Sequence, residues 1–354
     1  MCTKIFSCSM RAFCKFVMPK PMFSYNRQLS SMTTKSRQIE EQKVKINGID
    51  INYAKVGTGD HPVLLLPGAL AVQTKRTGLL PHLITNSILS CFDTAAIYWF
   101  QSLGYKPLLY LLRNRGTTPH KLAASTLSRT IWTDFKPQIE NLDADKLVIV
   151  AWDPPGYGKS RPPDKMFPDD FFQRDAVLAH DLMKTLGYKK FSLIGWSDGG
   201  ITSLLLASTY PESIWKMVVT GANAYIHPDE MKLYEKVRSI DTWSEKMRTP
   251  MIKAYGEDYF RKTWSDWIDA MHKLYEKRNG DVCKQVLPKI RCPTLIVYGA
   301  KDMMVLPEHS EYLKQNIANS KLHIFEKGAH NLHLRYADEF NKLVTDFLLE
   351  KSKI

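Results

Sequence analysis

The sequence has no long hydrophobic run and no paired cysteines. No stretch approaches the roughly 18–20 consecutive apolar residues of a membrane span, so we expect no membrane-spanning helix. The six cysteines show no metal-type spacing, so we expect free thiols in a reducing compartment and no metal site. They are Cys2, Cys8, Cys14, Cys91, Cys283 and Cys292.

Acidic residues are nearly absent from two tracts, and these tracts carry the whole net charge of +13. Residues 1–39 hold seven basic residues and no acid, and residues 75–131 hold seven basic residues against Asp93 alone. The rest of the chain is balanced. A nucleic-acid-binding face needs clustered positive charge on the folded domain, so we expect no nucleic-acid partner.

The first basic tract, residues 1–39, has the composition of a mitochondrial transit peptide, rich in Ser, Arg and Lys. Apolar residues recur at helical spacing, while Arg11 and Lys15 fall on another face and interrupt any secretory-type apolar stretch. The apolar positions are Phe6, Met10, Phe13 and Val17. We predict mitochondrial localisation; a merely disordered basic tail is the alternative.

The remaining chain alternates strand and helix patterns. Residues 43–56 predict a hairpin turning at Asn47-Gly48. Short apolar runs follow, "VLLLPG", "LVIVAWDPPG", "FSLIGWS", "KMVVTGA", "TLIVYGAKD" and "LHIFEKGAH", with helical patterns at 169–186, 199–210 and 335–350. Runs so short and continuously apolar indicate a sheet covered on both faces. We predict an α/β fold with a mainly parallel sheet, its core formed by residues 43–223 and 289–350.

Residues 224–288 form a different region, with Trp243, Trp264 and Trp267 among many charges and no strand-like run. The pattern predicts several amphipathic helices. Because the region lies between two sheet strands, we predict a helical cap over the carboxyl ends of the strands, where α/β sites form. An ordinary helical excursion packed on one side is the alternative.

A candidate nucleophile, Ser197, lies in Gly195-Trp196-Ser197-Asp198-Gly199, directly after a predicted strand and before a small-residue helix. A serine on such a strained strand-to-helix turn needs small neighbours, which explains the glycines on both sides. The turn also directs helix N-terminal amides toward a developing oxyanion. In this context the motif is strong evidence for a nucleophilic serine.

A nucleophilic serine needs a base, and the base needs an orienting acid. Asp302 follows the run "TLIVYG" and is the preferred acid; Glu308, farther from the strand end, is its competitor. His330 follows the last predicted strand and is the preferred base. His333 competes, but it lies at the start of the next helix, where packing or capping is the expected role.

The motifs "GWSDGG", "VIVAWDPPGYGKSRPPD", "GANAY", "YGAKD" and "GAHNLHLRYADEFNKL" resemble the α/β-hydrolase fold superfamily. Within it the chain is most similar to the valacyclovir hydrolase (biphenyl hydrolase-like) family, over residues 44–72 and 132–349. The resemblance implies a serine esterase that prefers esters of α-amino acids and resides in mitochondria. It also implies a triad of Ser197, Asp302 and His330, the residues chosen above from their positions.

Asp198 and the turn at residues 67–70 are the remaining site candidates. The Asp198 N–H is placed to donate to an oxyanion, with a second donor from Ala69 or Leu70 after the first buried strand. The Asp198 carboxylate would bind a substrate ammonium, or would only favour the helix N-terminus through its dipole. The residues alone leave both open, and the resemblance favours ammonium recognition.

Residues 75–131 separate this turn from Thr133-Asp134-Phe135, whereas the resembled family has a short link there. The tract contains apolar stretches but no complete strand-helix unit, and structureless loops of this length are uncommon. Three interpretations are open: the tract is an added lid, it is a tolerated disordered insertion, or it is absent from the working protein. We favour a poorly ordered insertion foreign to the fold, beginning close to the oxyanion turn.

Together these features predict a monomeric serine hydrolase acting on small-molecule carboxylic esters of amino-acid type through an acyl-enzyme. The triad chemistry requires no cofactor. A C–C bond hydrolase or thioesterase with the same triad is the nearest alternative. A hydrolase impaired by residues 75–131 is another.

Overall fold

The computed structural model describes residues 38–70 and 129–350, and within them an eight-stranded sheet forms the centre. Its order is β1-β2-β4-β3-β5-β6-β7-β8; β2 is antiparallel to β1 and β4, and the other pairs are parallel. The strands are β1 (Glu40–Ile46), β2 (Ile49–Val56), β3 (His61–Leu66), β4 (Leu147–Trp152), β5 (Phe191–Trp196), β6 (Ile214–Thr220), β7 (Thr294–Gly299) and β8 (Ser320–Phe325). The predicted, mainly parallel sheet is confirmed.

The predicted apolar runs form the strands, and the predicted hairpin is β1–β2. Every residue of β4, β5 and β7 is buried, as expected for parallel strands covered on both faces. The prediction that the strands are covered on both faces was wrong for β8, where Lys321 and Ile324 are exposed. The reason is position, because β8 is the last strand of the sheet and pairs on one side with β7.

Helices cover both faces of the sheet. The core helices are α1 (Arg129–Asp134), α2 (Lys136–Asn141), α3 (Phe171–Thr185), α4 (Asp198–Thr209), α8 (Pro307–Asn316), α9 (Leu332–Arg335) and α10 (Ala337–Leu349). One buried cluster joins α3, α4 and α8 to one face, and a second joins α1, α2 and α10 to the other. This three-layer arrangement brings the loops after β3, β5, β7 and β8 to one edge of the sheet.

Between β6 and β7 the chain forms three α-helices, in the region for which the sequence predicts a helical cap. Its helices are α5 (Pro228–Lys236), α6 (Glu245–Tyr255) and α7 (Glu257–Arg278). The two ends of this region meet where Tyr225 pairs with Asp281 in an isolated bridge. A side chain of α7, Trp267, reaches Asp198 immediately after β5, so the cap lies over the carboxyl ends of the strands.

Two sequence predictions lie outside the described residues. The predicted transit segment is residues 1–39, of which 1–37 lie outside. The predicted insertion is residues 75–131, of which 75–128 lie outside. Helix α1 begins at Arg129, so the last residues of the predicted insertion are helical. No helix in the described part of the chain combines the length and apolarity needed to cross a membrane.

Candidate active site

Ser197 occupies a sharp turn between β5 and α4, as the sequence predicted. Its backbone has φ 55 and ψ −123, a left-handed region that a non-glycine residue adopts only under constraint. A Cβ placed on Gly195 would lie 2.3 Å from Ser203 Oγ, and one on Gly199 would lie 2.0 Å from the Leu66 carbonyl oxygen. Glycine is therefore required at both positions for the turn to close.

The structure brings Ser197, His330 and Asp302 together. His330 Nε2 lies 3.1 Å from Ser197 Oγ, and His330 Nδ1 lies 2.9 Å from Asp302 Oδ2. The Asp302 carboxylate is nearly inaccessible, and its Oδ1 accepts the N–H groups of Met304 at 2.8 Å and Val305 at 3.0 Å. Both oxygens of the acid are thus engaged, which sets the orientation of the imidazole.

The electrostatic environment raises the pKa of His330. Burial alone would lower its pKa, but the Asp302 charge and hydrogen bond outweigh burial and raise the pKa above the ordinary 6.5. The arrangement suits an imidazole that accepts a proton from Ser197 and holds it as imidazolium beside a carboxylate.

The two rival residues lie elsewhere. His333 is fully buried, its Nε2 lies 2.8 Å from the Asp134 carbonyl oxygen, and burial lowers its pKa to about 3. It packs beneath the site, as the sequence suggested. Glu308 lies on α8, with an oxygen 3.9 Å from His227 Nε2.

The turn after β3 lies against the nucleophile. A Cβ placed on Gly68 would be 3.1 Å from Ser197 Cβ, and Ala69 lines the same cavity as Ser197. Leu70 has φ 30 and a fully buried side chain. The backbone of this turn is therefore close to the predicted oxyanion position, and the donor roles of Ala69 and Leu70 stay predictions.

Asp198, the first residue of α4, contacts the cap. Its Oδ2 accepts a hydrogen bond from Trp267 Nε1 at 2.8 Å. Burial raises the Asp198 pKa to about 7, although the Trp267 bond and the Lys165 charge both oppose the shift. A carboxylate so poorly solvated binds a cation more strongly than an exposed one does.

Three contacts near the site were not predicted from the sequence: the Trp267–Asp198 bond, a buried ion pair and a bond from Gly68. In the ion pair, Lys165 Nζ lies 2.6 Å from Asp175 Oδ2, and both residues line a small cavity with Asp198. The Gly68 N–H donates to Asp134 Oδ2 at 3.2 Å. Only the motif "TDF", noted as a landmark, pointed toward one of them.

A larger cavity of about 560 Å³ opens at Ser197 and His330. Its lining is mainly apolar and comes largely from the cap and from the loop after β7. The lining includes Trp243, Trp264, Trp267, Met247, Met303 and Met304. Such a cavity is large enough for a drug-sized organic group.

Over residues 38–70 and 129–350, no cluster of three or more His, Cys, Asp or Glu side chains is arranged to hold a metal ion. Cys283 and Cys292 are buried free thiols, and burial raises the pKa of Cys292 to about 11. These two sulfurs therefore behave as core side chains rather than as reactive thiolates.

The family model described as "Alpha/beta hydrolase family" matches residues 122–343. The chain belongs to the alpha/beta hydrolase family. It is also 40% identical over 321 residues to "Serine hydrolase BPHL" of Mus musculus, a match that covers 91% of this chain and 90% of the mouse protein. The Homo sapiens protein of the same name is 40% identical over 310 residues, covering 88% of this chain and 87% of that protein.

Solved structures share the fold. A meta-cleavage product hydrolase from Pseudomonas fluorescens IP01 (CumD) superimposes with a TM-score of 0.59 at 18% identity, covering 88% of this chain and 98% of that chain. The fold and the family relationships identify the chain as a serine hydrolase, and the predicted α/β-hydrolase fold is confirmed.

Proposed function

We propose that the protein hydrolyses carboxylic esters of α-amino acids through a Ser197-His330-Asp302 triad. Ser197 Oγ attacks the ester carbonyl carbon while His330 Nε2 accepts its proton, within the 3.1 Å seen between the two atoms. The tetrahedral intermediate expels the alcohol, which takes the proton from His330. Water, deprotonated by His330, then attacks the acyl-enzyme. The second tetrahedral intermediate breaks its bond to Ser197 Oγ, which takes the proton back from His330 as the amino acid leaves.

The oxyanion of each tetrahedral intermediate would be bound by backbone N–H groups. Asp198 supplies one at the first position of α4, where the helix dipole also favours negative charge. The turn at residues 67–70 supplies the other, from Ala69 or Leu70. The proximity of Gly68 to Ser197 supports this assignment.

The single observation that carries the substrate class is the Asp198 carboxylate, one residue from the nucleophile and held at 2.8 Å by Trp267. An α-ammonium lies one carbon from the ester carbonyl. A group bound at Asp198 would therefore present its carbonyl to Ser197. Asp198 is half-buried, and burial raises its pKa to about 7, so an ionic bond between its carboxylate and an ammonium would be screened less than one at the surface.

The alcohol part of the ester would occupy the cavity of about 560 Å³. Three tryptophans and three methionines in its lining favour a bulky apolar or aromatic alcohol, because aromatic faces and flexible thioethers adapt to varied shapes. Discrimination would thus be stricter for the acyl part than for the alcohol.

A C–C bond hydrolase is the second candidate. Relatives at 26–29% identity include hydrolases named for 2-hydroxy-6-oxononadienedioate and 2-hydroxy-6-oxo-6-phenylhexa-2,4-dienoate, which are carboxylate substrates. Asp198 argues against such substrates here, because a partly buried carboxylate beside the nucleophile repels an anion. Thioesters remain chemically accessible to the same triad.

The decisive experiment compares three substrates. L-valine benzyl ester and benzyl 3-methylbutanoate share the alcohol and the side chain and differ in the ammonium, and a thiolactone tests the thioesterase alternative. We expect a kcat/KM at least about tenfold higher for the valine ester, from one charge-assisted bond. The Asp198→Asn variant should lose this preference. Equal or faster cleavage of the neutral ester by the wild type would refute the proposal.

We also propose that the protein acts in mitochondria and as a monomer. Supporting the first is the acid-free composition of residues 1–39. A fluorescent reporter carrying residues 1–39 should colocalise with a mitochondrial marker, and an Arg11→Glu/Lys15→Glu pair should abolish import. Sedimentation equilibrium of the protein would test the second proposal against its mass of 40.7 kDa.

A further inference from the structure

A polar contact between two side chains joins the cap to the nucleophile turn. Trp267 Nε1, on α7, donates to Asp198 Oδ2 at 2.8 Å across 69 residues of sequence. An indole N–H is a donor only, and an ionised carboxylate is an acceptor only. The pair is therefore matched to the ionised form of Asp198.

The indole is held by its neighbours. Trp267 is almost fully buried; its ring stacks on Trp264 with centroids 5.0 Å apart and meets Tyr234 edge-on at 5.1 Å. Trp264 does not share the contact with the acid, because its Nε1 donates to the Val237 carbonyl oxygen at 2.8 Å. The aromatic packing thus fixes the direction of the Trp267 N–H. A phenylalanine at position 264 keeps an aromatic ring against Trp267 and removes an N–H that does not reach Asp198.

The charged groups that act on Asp198 come from several elements. Burial raises its pKa, the Trp267 bond and the charges of Lys165 and His330 lower it, and Asp175 raises it. Burial raises the pKa values of Tyr157 and Tyr234, and the Asp198 charge raises both further. Among these groups, Trp267 alone is hydrogen-bonded to the Asp198 side chain within the described part of the chain.

We infer that Trp267 is a positioning residue for the acyl group, setting the preference for α-amino acid esters by directing the Asp198 carboxylate. With Oδ2 occupied by the indole, the substrate ammonium binds at Oδ1, in one orientation relative to Ser197. The inference rests on the proposed function and extends it, because it makes ammonium recognition a joint property of the cap and the nucleophile turn.

The test uses Trp267→Phe, which keeps an aromatic ring and removes the N–H, with Trp264→Phe as the matched control. The readout is the ratio of kcat/KM for L-valine benzyl ester over benzyl 3-methylbutanoate, so that any effect on the shared alcohol cancels. In Trp267→Phe we expect the ratio to fall roughly tenfold or more, the worth of a hydrogen bond to a charged group. Trp264→Phe should keep the wild-type ratio.

A pH profile of the same ratio provides the second readout. Losing the indole bond removes a group that favours the ionised carboxylate, so the pKa of Asp198 rises. The pH at which the ratio reaches half its maximum should therefore move upward in Trp267→Phe and stay in place in Trp264→Phe. A purely structural role for Trp267 would not move this midpoint.

The inference is overturned if Trp267→Phe keeps the wild-type ratio and midpoint, or if both esters slow equally with no change in the ratio. Fluorophosphonate labelling of Ser197 at the wild-type rate verifies that the variant is folded. The Asp198→Asn variant distinguishes a failure of the proposed function from a failure of the role inferred for Trp267. If Asp198→Asn keeps the preference, the proposed function fails; if it loses the preference and Trp267→Phe does not, the inference alone fails.

Discussion

The backbone N–H of Gly68 donates to the buried carboxylate of Asp134, with Gly68 N 3.2 Å from Asp134 Oδ2. Gly68 belongs to the turn after β3, and Asp134 is the last residue of α1, on the other side of residues 71–128. Asp134 also accepts from Thr133 Oγ1 at 3.0 Å, and its carbonyl oxygen lies 2.8 Å from His333 Nε2. One residue thus connects the turn after β3 to the chain segment that carries His330, and the turn is held from the far side of residues 71–128.

Asp134→Ala should lower kcat by roughly 10-fold to 10²-fold with little change in KM, because a displaced oxyanion donor acts in the transition state. Burial raises the pKa of Asp134 well above its usual range, so a neutral acceptor suits the position. Asp134→Asn should therefore retain most of the activity. Steady-state kinetics on one ester and the rate of fluorophosphonate labelling measure both effects; equal kinetics for Asp134→Ala and the wild type would contradict the assignment.

The pH dependence of neutral-ester hydrolysis should report His330. Its pKa is raised by Asp302, and the base must be unprotonated to act. Activity should therefore rise with pH through an apparent pKa above 6.5 and be lost as pH falls below it. In Asp302→Asn, burial lowers the pKa of His330 without an opposing carboxylate, so the pH midpoint of activity should move down. The same variant should lower kcat by about 10⁴, as expected for a disabled triad. A midpoint that stays in place would exclude Asp302 as the partner of His330.

The preference for aminoacyl esters should have its own pH dependence. Asp198 has a pKa of about 7, raised by burial, and must be ionised to bind an ammonium. The ratio of kcat/KM for the valine ester to kcat/KM for the neutral ester should rise as pH increases through about 7. It should then decline as the α-amino group of the substrate loses its proton near pH 8. Ratios measured from pH 5.5 to 9 would test this. A ratio independent of pH would count against an ionised Asp198 in binding.

A buried contact between the cap and the core should stabilise the fold. Glu230 on α5 and His309 on α8 are both inaccessible, and Glu230 Oε1 lies 2.9 Å from His309 Nε2. Glu230 also accepts the N–H groups of His227 at 2.9 Å and Leu306 at 3.3 Å. Glu230→Ala should lower the free energy of unfolding by about 3–5 kcal/mol, because it leaves several buried groups unpaired.

Urea denaturation would measure this loss, with Lys232→Ala on the exposed side of the same helix as the control. Lys232 pairs with Asp229 in solvent, so its removal should cost less than about 1 kcal/mol. Similar losses for the two variants would show that the Glu230 contact contributes little.

The fold was largely predictable because its signals are local. Continuous apolar runs predicted the buried strands, and the glycine-flanked Ser197 predicted the turn between β5 and α4. Asp302 and His330 were found because the carboxyl ends of parallel strands meet at one edge of the sheet. Exposure along β8 was not predictable, because an edge strand and a central strand share the same short apolar pattern.

By itself the sequence determined the order of strands and helices along the chain, the strained serine turn and the strand ends that Asp302 and His330 follow, since each depends on residue types at short spacing. Only the tertiary structure decided that Trp267 holds Asp198, that Lys165 pairs with Asp175, and that Asp134 holds Gly68. The first contact depends on how the cap packs on the core, across 69 residues of sequence, and the other two depend on how loops and helices pack within the core. No local sequence pattern predicts such contacts, so the hydrogen bond that the cap makes to Asp198 and the support of the turn after β3 are properties of the folded molecule.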